Sequence, residues 1–221
     1  MKSVRLWFKK GGLAVYISHL DLMRLFQRAF KRADLPLTHT KGFNPRPSVS
    51  IALPLSLGVS SHCELLDFDL EDPHISCDEM KTRLSKNLIS GIRVLDVYEN
   101  GGKLKNLAFL ECSVSMEYDK GIPEDAEAKL NALFSQEEII VEKKSKNGVA
   151  EQNIAPMIRR ITVDKTNLQE LTLRALICCQ NPTLNPTQLH AAVCKYLPEL
   201  TPDFTRCCRQ EIYDHNEIVF R

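Results

Sequence analysis

The residues best suited to chemistry lie near the start of the chain. His19 sits between Ser18 and Leu20, two positions before Asp21. An imidazole can act as general acid or base near neutral pH, and at a helix N-terminus the dipole disfavours its charged form. His19 is therefore a candidate base for RNA cleavage, set against the plainer role of a polar residue at a helix start. His39 is a second candidate of the same kind. Glu64, Asp67 and Asp69 fall along one predicted strand, with Asp67 and Asp69 on the same face. Paired carboxylates can hold Mg²⁺; they also suit the solvent face of an edge strand or an ion pair with a basic helix. No second cluster completes a site, so no metal and no cofactor are expected. The eight cysteines contain no C-x-x-C and no C-x-x-x-C-x-x-C run, and they read as small buried thiols in a reducing compartment. There is no nucleophile elbow, zincin motif or dinucleotide fingerprint.

A stronger signal is charge. The first fifty residues carry 10 Lys and Arg against 2 acidic residues, a net of +8. The other 171 carry 19 against 26, a net of −7, so the whole-chain value of +1 hides the asymmetry. Segregation of this kind points to a polyanionic partner. Arg24, Arg28 and Lys31 are spaced i, i+4, i+7 and share one helical face, with Arg32 beside it. Lys41-Gly42-Phe43-Asn44-Pro45-Arg46-Pro47 follows. The prolines stiffen this stretch and bias Asn44 and Arg46 towards extended backbone. Lys41, Asn44 and Arg46 could meet phosphate, and Phe43 could either stack on a base or plug the core. A second basic run, Lys143-Lys144-Ser145-Lys146, reads as a hairpin tip or a further backbone contact.

The elements that position these residues follow from periodicity. Val4–Lys9 alternates as a strand, and Leu13–Ile17 extends it past Gly11-Gly12. Ser18 caps a helix with Asp21 at N3 in a capping box, and Leu22, Leu25, Phe26, Ala29, Phe30 and Ala33 form its apolar stripe. Strands are expected at Ser48–Leu53, Cys63–Leu70 and Ile92–Tyr98, and a helix capped by Ser76 at Cys77–Leu88. The order is β-α-β-β-α-β. The second half repeats it, with strands at Phe109–Tyr118, Glu138–Lys144, Ile158–Val163, Glu170–Cys178 and Phe204–Ile212. Its helices run from Glu124 to Phe134 and from Asn185 to Tyr196. The expected fold is α+β: tandem ferredoxin-like units with antiparallel sheets, 1–102 and 103–221, divided at Asn100-Gly101-Gly102-Lys103.

The string Tyr16-Ile17-Ser18-His19-Leu20-Asp21-Leu22, Arg24, Arg28-Ala29, Arg32, Leu35-Pro36 and Lys41–Pro47, with Ser50, Leu53-Pro54-Leu55, Gly58-Val59, Glu64 and Asp67, resembles the radical SAM-linked family of bacterial proteins. That family is a domain of unassigned activity, encoded beside or fused to a radical SAM protein. The resemblance implies a radical SAM protein as partner rather than a mechanism. The resemblance implies an acidic residue and an arginine in a D-I-R-P-like stretch of the second half; this chain has Asn153-Ile154-Ala155-Pro156 instead, so a charged site held by that stretch in relatives is expected to be altered or absent here. A looser likeness, to the CRISPR repeat-processing endoribonucleases, is one of fold analogy.

The reading is an RNA-binding or substrate-docking accessory of a radical SAM enzyme acting in RNA modification, cytoplasmic, with no membrane segment. Two alternatives stand beside it. One is a protein-interaction module for the radical SAM partner without RNA binding. The other is an RNA-processing enzyme using His19 or His39.

Overall fold

The computed structural model describes residues 2–145 and 148–221, and at 144 and 145 the backbone only. Among the described residues the fold is α+β, with four α-helices and antiparallel sheets. It divides into two compact units, 1–106 with Arg221 and 107–220. The boundary falls a few residues after Gly102 because a short 3-10 turn, Leu104–Asn106, stays with the first unit.

In the first unit, strands β1 (Lys2–Lys10), β2 (Val49–Ile51), β3 (Ser60–Leu70) and β4 (Ile92–Tyr98) lie in the order β4-β1-β3-β2. Every neighbouring pair is antiparallel. Helices α1 (His19–Arg32) and α2 (Cys77–Asn87) cover the sheet. Alternation puts Leu6, Phe8, Leu66 and Phe68 inside, where α1 adds Phe26 and Phe30 and α2 adds Met80 and Leu84. Phe8 meets Phe26 edge-on at 4.8 Å between ring centroids, and Phe30 meets Phe68 at 4.7 Å.

The segment after β1 departs from the expected strand: Gly12–Tyr16 is a 3-10 helix. Two contacts explain why. The Lys10 ammonium, 1 % exposed, turns back to donate to the carbonyls of Val15 (3.4 Å) and Ile17 (2.9 Å). The backbone of Gly91, at φ +89°, also presses against Gly11 and Ala14 so closely that a Cβ there would clash with the Gly11 carbonyl. Burial pulls the Lys10 ammonium below its usual pKa, with Glu64 opposing that shift.

The second unit contains β5 (Leu107–Glu117), β8 (Ile158–Lys165), β9 (Glu170–Cys178) and β10 (Phe204–Asp214) in the order β10-β5-β9-β8, again antiparallel throughout. Helices α3 (Ala126–Phe134) and α4 (Pro186–Tyr196) pack on it. Between α3 and β8 stands a separate hairpin, β6 (Ile140–Ser145) with β7 (Gly148–Asn153). The exposed, polar β7 has no apolar alternation, so only its turn is legible in the sequence.

The α4 N-terminus carries the expected box: the Asn185 side chain accepts from the Thr187 N–H (3.1 Å), and the Gln188 side chain accepts from the Asn185 N–H (3.0 Å). At Asn153-Ile154-Ala155-Pro156, the Asn153 side-chain oxygen accepts from the Ile139 and Ala155 N–H groups at 2.9 and 3.1 Å. Its role there is to order backbone.

All eight cysteines are free thiols, and four of them, Cys63, Cys112, Cys179 and Cys207, are buried. Burial pushes Cys112 and Cys179 up to about 12 and Cys207 to about 11. Burial likewise pushes Tyr118 and Tyr213 up to about 12. Two outcomes are expected. Ellman's reagent at about pH 8 titrates at most the four half-buried thiols, Cys77, Cys178, Cys194 and Cys208, until the protein is denatured. Reaction of all eight in the native protein would refute this packing. Second, an unfolded chain releases these protons at lower pH than the folded one, so stability is full below the ordinary thiol value and falls as pH climbs towards 12. Urea midpoints measured across that range check the sign.

Candidate nucleic-acid interface

Helix α1 begins where the sequence indicates, because the Ser18 side chain accepts from the Asp21 N–H at 3.2 Å. The capping box does not close reciprocally. The Asp21 carboxylate instead accepts from the Ser18 hydroxyl (2.7 Å) and from Arg24 (3.0 Å). These two donors, Ser18 first, hold the Asp21 carboxyl below its usual range. Arg24 thus has an acidic neighbour, but an exposed pair is weak and a phosphate can compete for the guanidinium.

Arg24, Arg28 and Lys31 are all exposed on the side of α1 opposite the buried Leu22, Phe26, Ala29 and Phe30. Arg28 and Lys31 make no ion pair among the described residues. Arg32 differs: it donates to the Asn87 carbonyl at the end of α2 (2.7 Å) and so ties the two helices together.

The stretch after α1 is built as an arm. Leu37 bridges to Leu70, and the Thr38 N–H donates to the Asp69 carbonyl (2.8 Å) while the Asp69 N–H donates to the Ser48 carbonyl (3.2 Å). Further out, His39 pairs with Pro47. Thr40 then closes the neck twice. Its N–H donates to the Arg46 carbonyl (2.8 Å), and its hydroxyl accepts from the Arg46 N–H (3.0 Å). Gly42 sits at φ +145°, a conformation that side chains rarely adopt. Lys41, Phe43, Asn44 and Arg46 are all exposed at the tip, and Phe43 is fully so at 109 %. Phe43 therefore does not plug the core.

Neither His19 nor His39 makes a side-chain hydrogen bond or ion pair among the described residues. His19 occupies the first turn of α1, and His39 is held in the arm by its backbone. Asp67 is engaged by Arg5 rather than by α1. Arg5 lies opposite Asp67 in the β1–β3 register and donates to both carboxylate oxygens, at 2.6 and 2.8 Å. No group of three metal-ligating residues occurs among the described residues.

Lys143 lies in the second unit, on β6, and is exposed. Lys144 pairs through its backbone with Val149, and Lys146 and Asn147 fall outside the described residues. Lys143 helps line a groove of about 880 Å³ with Thr183, Asn185, Gln188, Cys194 and Lys195. Cys194 Sγ lies 3.2 Å from His190 Nε2 on α4. The sequence signal for that contact is the i, i+4 spacing of the two residues.

A family profile described as an uncharacterized protein conserved in bacteria, DUF2344, matches residues 3–186. The chain belongs to this family. The match takes in the whole of α1 and the arm. No curated protein matches the sequence significantly. Among solved structures, one chain of a Cbf5-Nop10-Gar1 complex is similar at 11 % identity and a TM-score of 0.50, covering 95 % of this chain and 48 % of that one. A chain from an H/ACA RNP bound to a substrate RNA containing 2'-deoxyuridine is similar at 10 % identity and a TM-score of 0.47, covering 94 % and 46 %. The chain thus spans about half the length of the solved chains it resembles, and the likeness is one of fold.

Proposed function

We propose that this DUF2344 protein is a non-catalytic RNA-docking accessory that presents RNA to a radical SAM enzyme. The observation that carries the reading is the first unit's exposed face of Arg24, Arg28 and Lys31, together with an arm presenting Lys41, Phe43 and Arg46. Long cations contact phosphate oxygens without reading sequence, and an aromatic tip adds a surface for a base. The strand order β4-β1-β3-β2, and its counterpart β10-β5-β9-β8, support reading each unit as ferredoxin-like.

The test is a gel-shift titration of the wild-type protein with total bacterial RNA over a range of salt. Affinity is expected to fall steeply and linearly in log–log form, with a slope of about −0.7 per phosphate contacted on single strands. RNA that does not shift even at low salt would refute the proposal.

A second reading, a docking module for the radical SAM protein without RNA, is favoured by exposed Leu13, Tyr16 and Leu20 at 87 %, 68 % and 66 %, beside the basic stripe. Pull-down of the radical SAM protein by purified chain that is unaffected by added RNA would support it. The third reading, hydrolysis by His19 or His39, predicts RNA turnover by the isolated chain that disappears in His19→Ala or His39→Ala.

A further inference from the structure

We infer that the arm makes the first unit select unpaired RNA, with Phe43 as the platform on which an exposed base stacks. This deepens the RNA-docking proposal and rests on it. The argument begins with cost: a phenylalanine left in water forgoes the stabilisation that burial of its ring would give. Phe43 is held out by construction rather than by want of a core. The Thr40–Arg46 neck is closed by two hydrogen bonds, 2.8 and 3.0 Å. Pro45 and Pro47 restrict the returning strand. The root of the arm is fastened to β3 through Thr38, Ser48 and Asp69. A tip tied in this way cannot fold back to bury its ring without breaking those bonds.

The chemistry of the tip then selects the ligand. A phenyl ring has neither donor nor acceptor, so it cannot read a base edge. It can offer a π-face, which every base accepts and which a base inside a duplex has already spent on its neighbours. Lys41 and Arg46 stand on either side of Phe43 in the chain, both exposed, and can meet the phosphates beside a stacked nucleotide. An A-form duplex would meet the α1 cations through its backbone but would leave Phe43 with no base to receive. The two parts therefore divide the work: the α1 face supplies charge, and the arm supplies the preference for single strands.

The experiment compares an oligouridylate of about ten nucleotides with a blunt RNA duplex of similar length. Binding is measured by fluorescence anisotropy for wild type, Phe43→Ala, Phe43→Leu and Phe43→Trp. The wild type is expected to prefer the single strand. Phe43→Ala and Phe43→Leu each weaken oligouridylate binding about tenfold while leaving duplex binding unchanged, and Phe43→Trp retains it. Leucine keeps the apolar bulk but lacks the π-face, so loss in that variant marks stacking. Because Phe43 is fully exposed, these changes leave the fold intact, which a thermal melt checks. Oligouridylate affinity unchanged in Phe43→Ala, or falling equally for both ligands, overturns the inference while leaving RNA docking in place. A wild type that binds neither RNA overturns both.

Discussion

The protein with Arg24→Glu and Arg28→Glu together is expected to bind RNA about a hundredfold more weakly than wild type at low salt, and to lose about one to two units from the log–log salt slope. The two guanidinium groups project from one exposed face of α1, so the change removes two cations and places two anions on the path of the phosphate backbone. A hundredfold is about 2.7 kcal/mol, or about 0.7 kcal/mol for each of two lost attractions and two added repulsions, just under the roughly 1 kcal/mol of a unit-charge pair about 4 Å apart in water. The fold should survive. Neither side chain is buried, glutamate is a good helix former, and surface changes of this kind cost within about 0.5 kcal/mol. Arg32→Glu is the contrasting variant. Arg32 holds the end of α2 through the Asn87 carbonyl, so its loss should lower stability rather than act through RNA contact alone.

Asp67→Ala is expected to destabilise the first unit by about 3 kcal/mol, lowering its thermal midpoint by roughly 10 °C or more. Arg5 has only 5 % of its side chain exposed and donates to both oxygens of Asp67, whose side chain is 32 % exposed. Removing the carboxylate takes two acceptor oxygens and the nearest opposite charge from a guanidinium that water reaches poorly. Gly101 closes over the same guanidinium: a Cβ there would lie 2.8 Å from Arg5 Cζ. Asp67→Asn retains one acceptor oxygen and should cost about half as much. The exposed pair Arg174–Asp164, with side chains 58 % and 50 % exposed, gives the comparison: Asp164→Ala should cost well under about 1 kcal/mol. Differential scanning fluorimetry separates the three variants. A midpoint for Asp67→Ala within about two or three degrees of wild type would show that the bidentate pair is not held as described.

These two sites are unequally legible in the sequence. Helix α1 can be read because its information is local: the Ser18 hydroxyl, the three- and four-residue spacing of Leu22, Phe26, Ala29 and Phe30, and the Arg24/Arg28/Lys31 face all lie within one short window. The same holds for α4, whose cap and Gln188 are three residues apart. Where partners are distant, the sequence misleads. Arg5 and Asp67 are 62 positions apart and meet only through the β1–β3 register, so Asp67 on its own resembles a metal ligand or a helix partner. Residues 13–17 alternate like a strand, yet Lys10 and the close approach of Gly91 fold them into a 3-10 turn. The stiffness of the arm is visible in Pro45 and Pro47. The fate of Phe43 is not, because it depends on how Thr40 and Arg46 pair and on where β3 anchors the root.

Ultraviolet cross-linking of the wild-type protein to RNA, followed by peptide mass spectrometry, tests the central claim most directly. The account predicts that cross-linked nucleotides concentrate on peptides spanning α1 and the arm, with adducts on Phe43 or its immediate neighbours, and that Arg24→Glu/Arg28→Glu abolishes them. Cross-links confined to the second unit, or an unchanged pattern in the double variant, would contradict it.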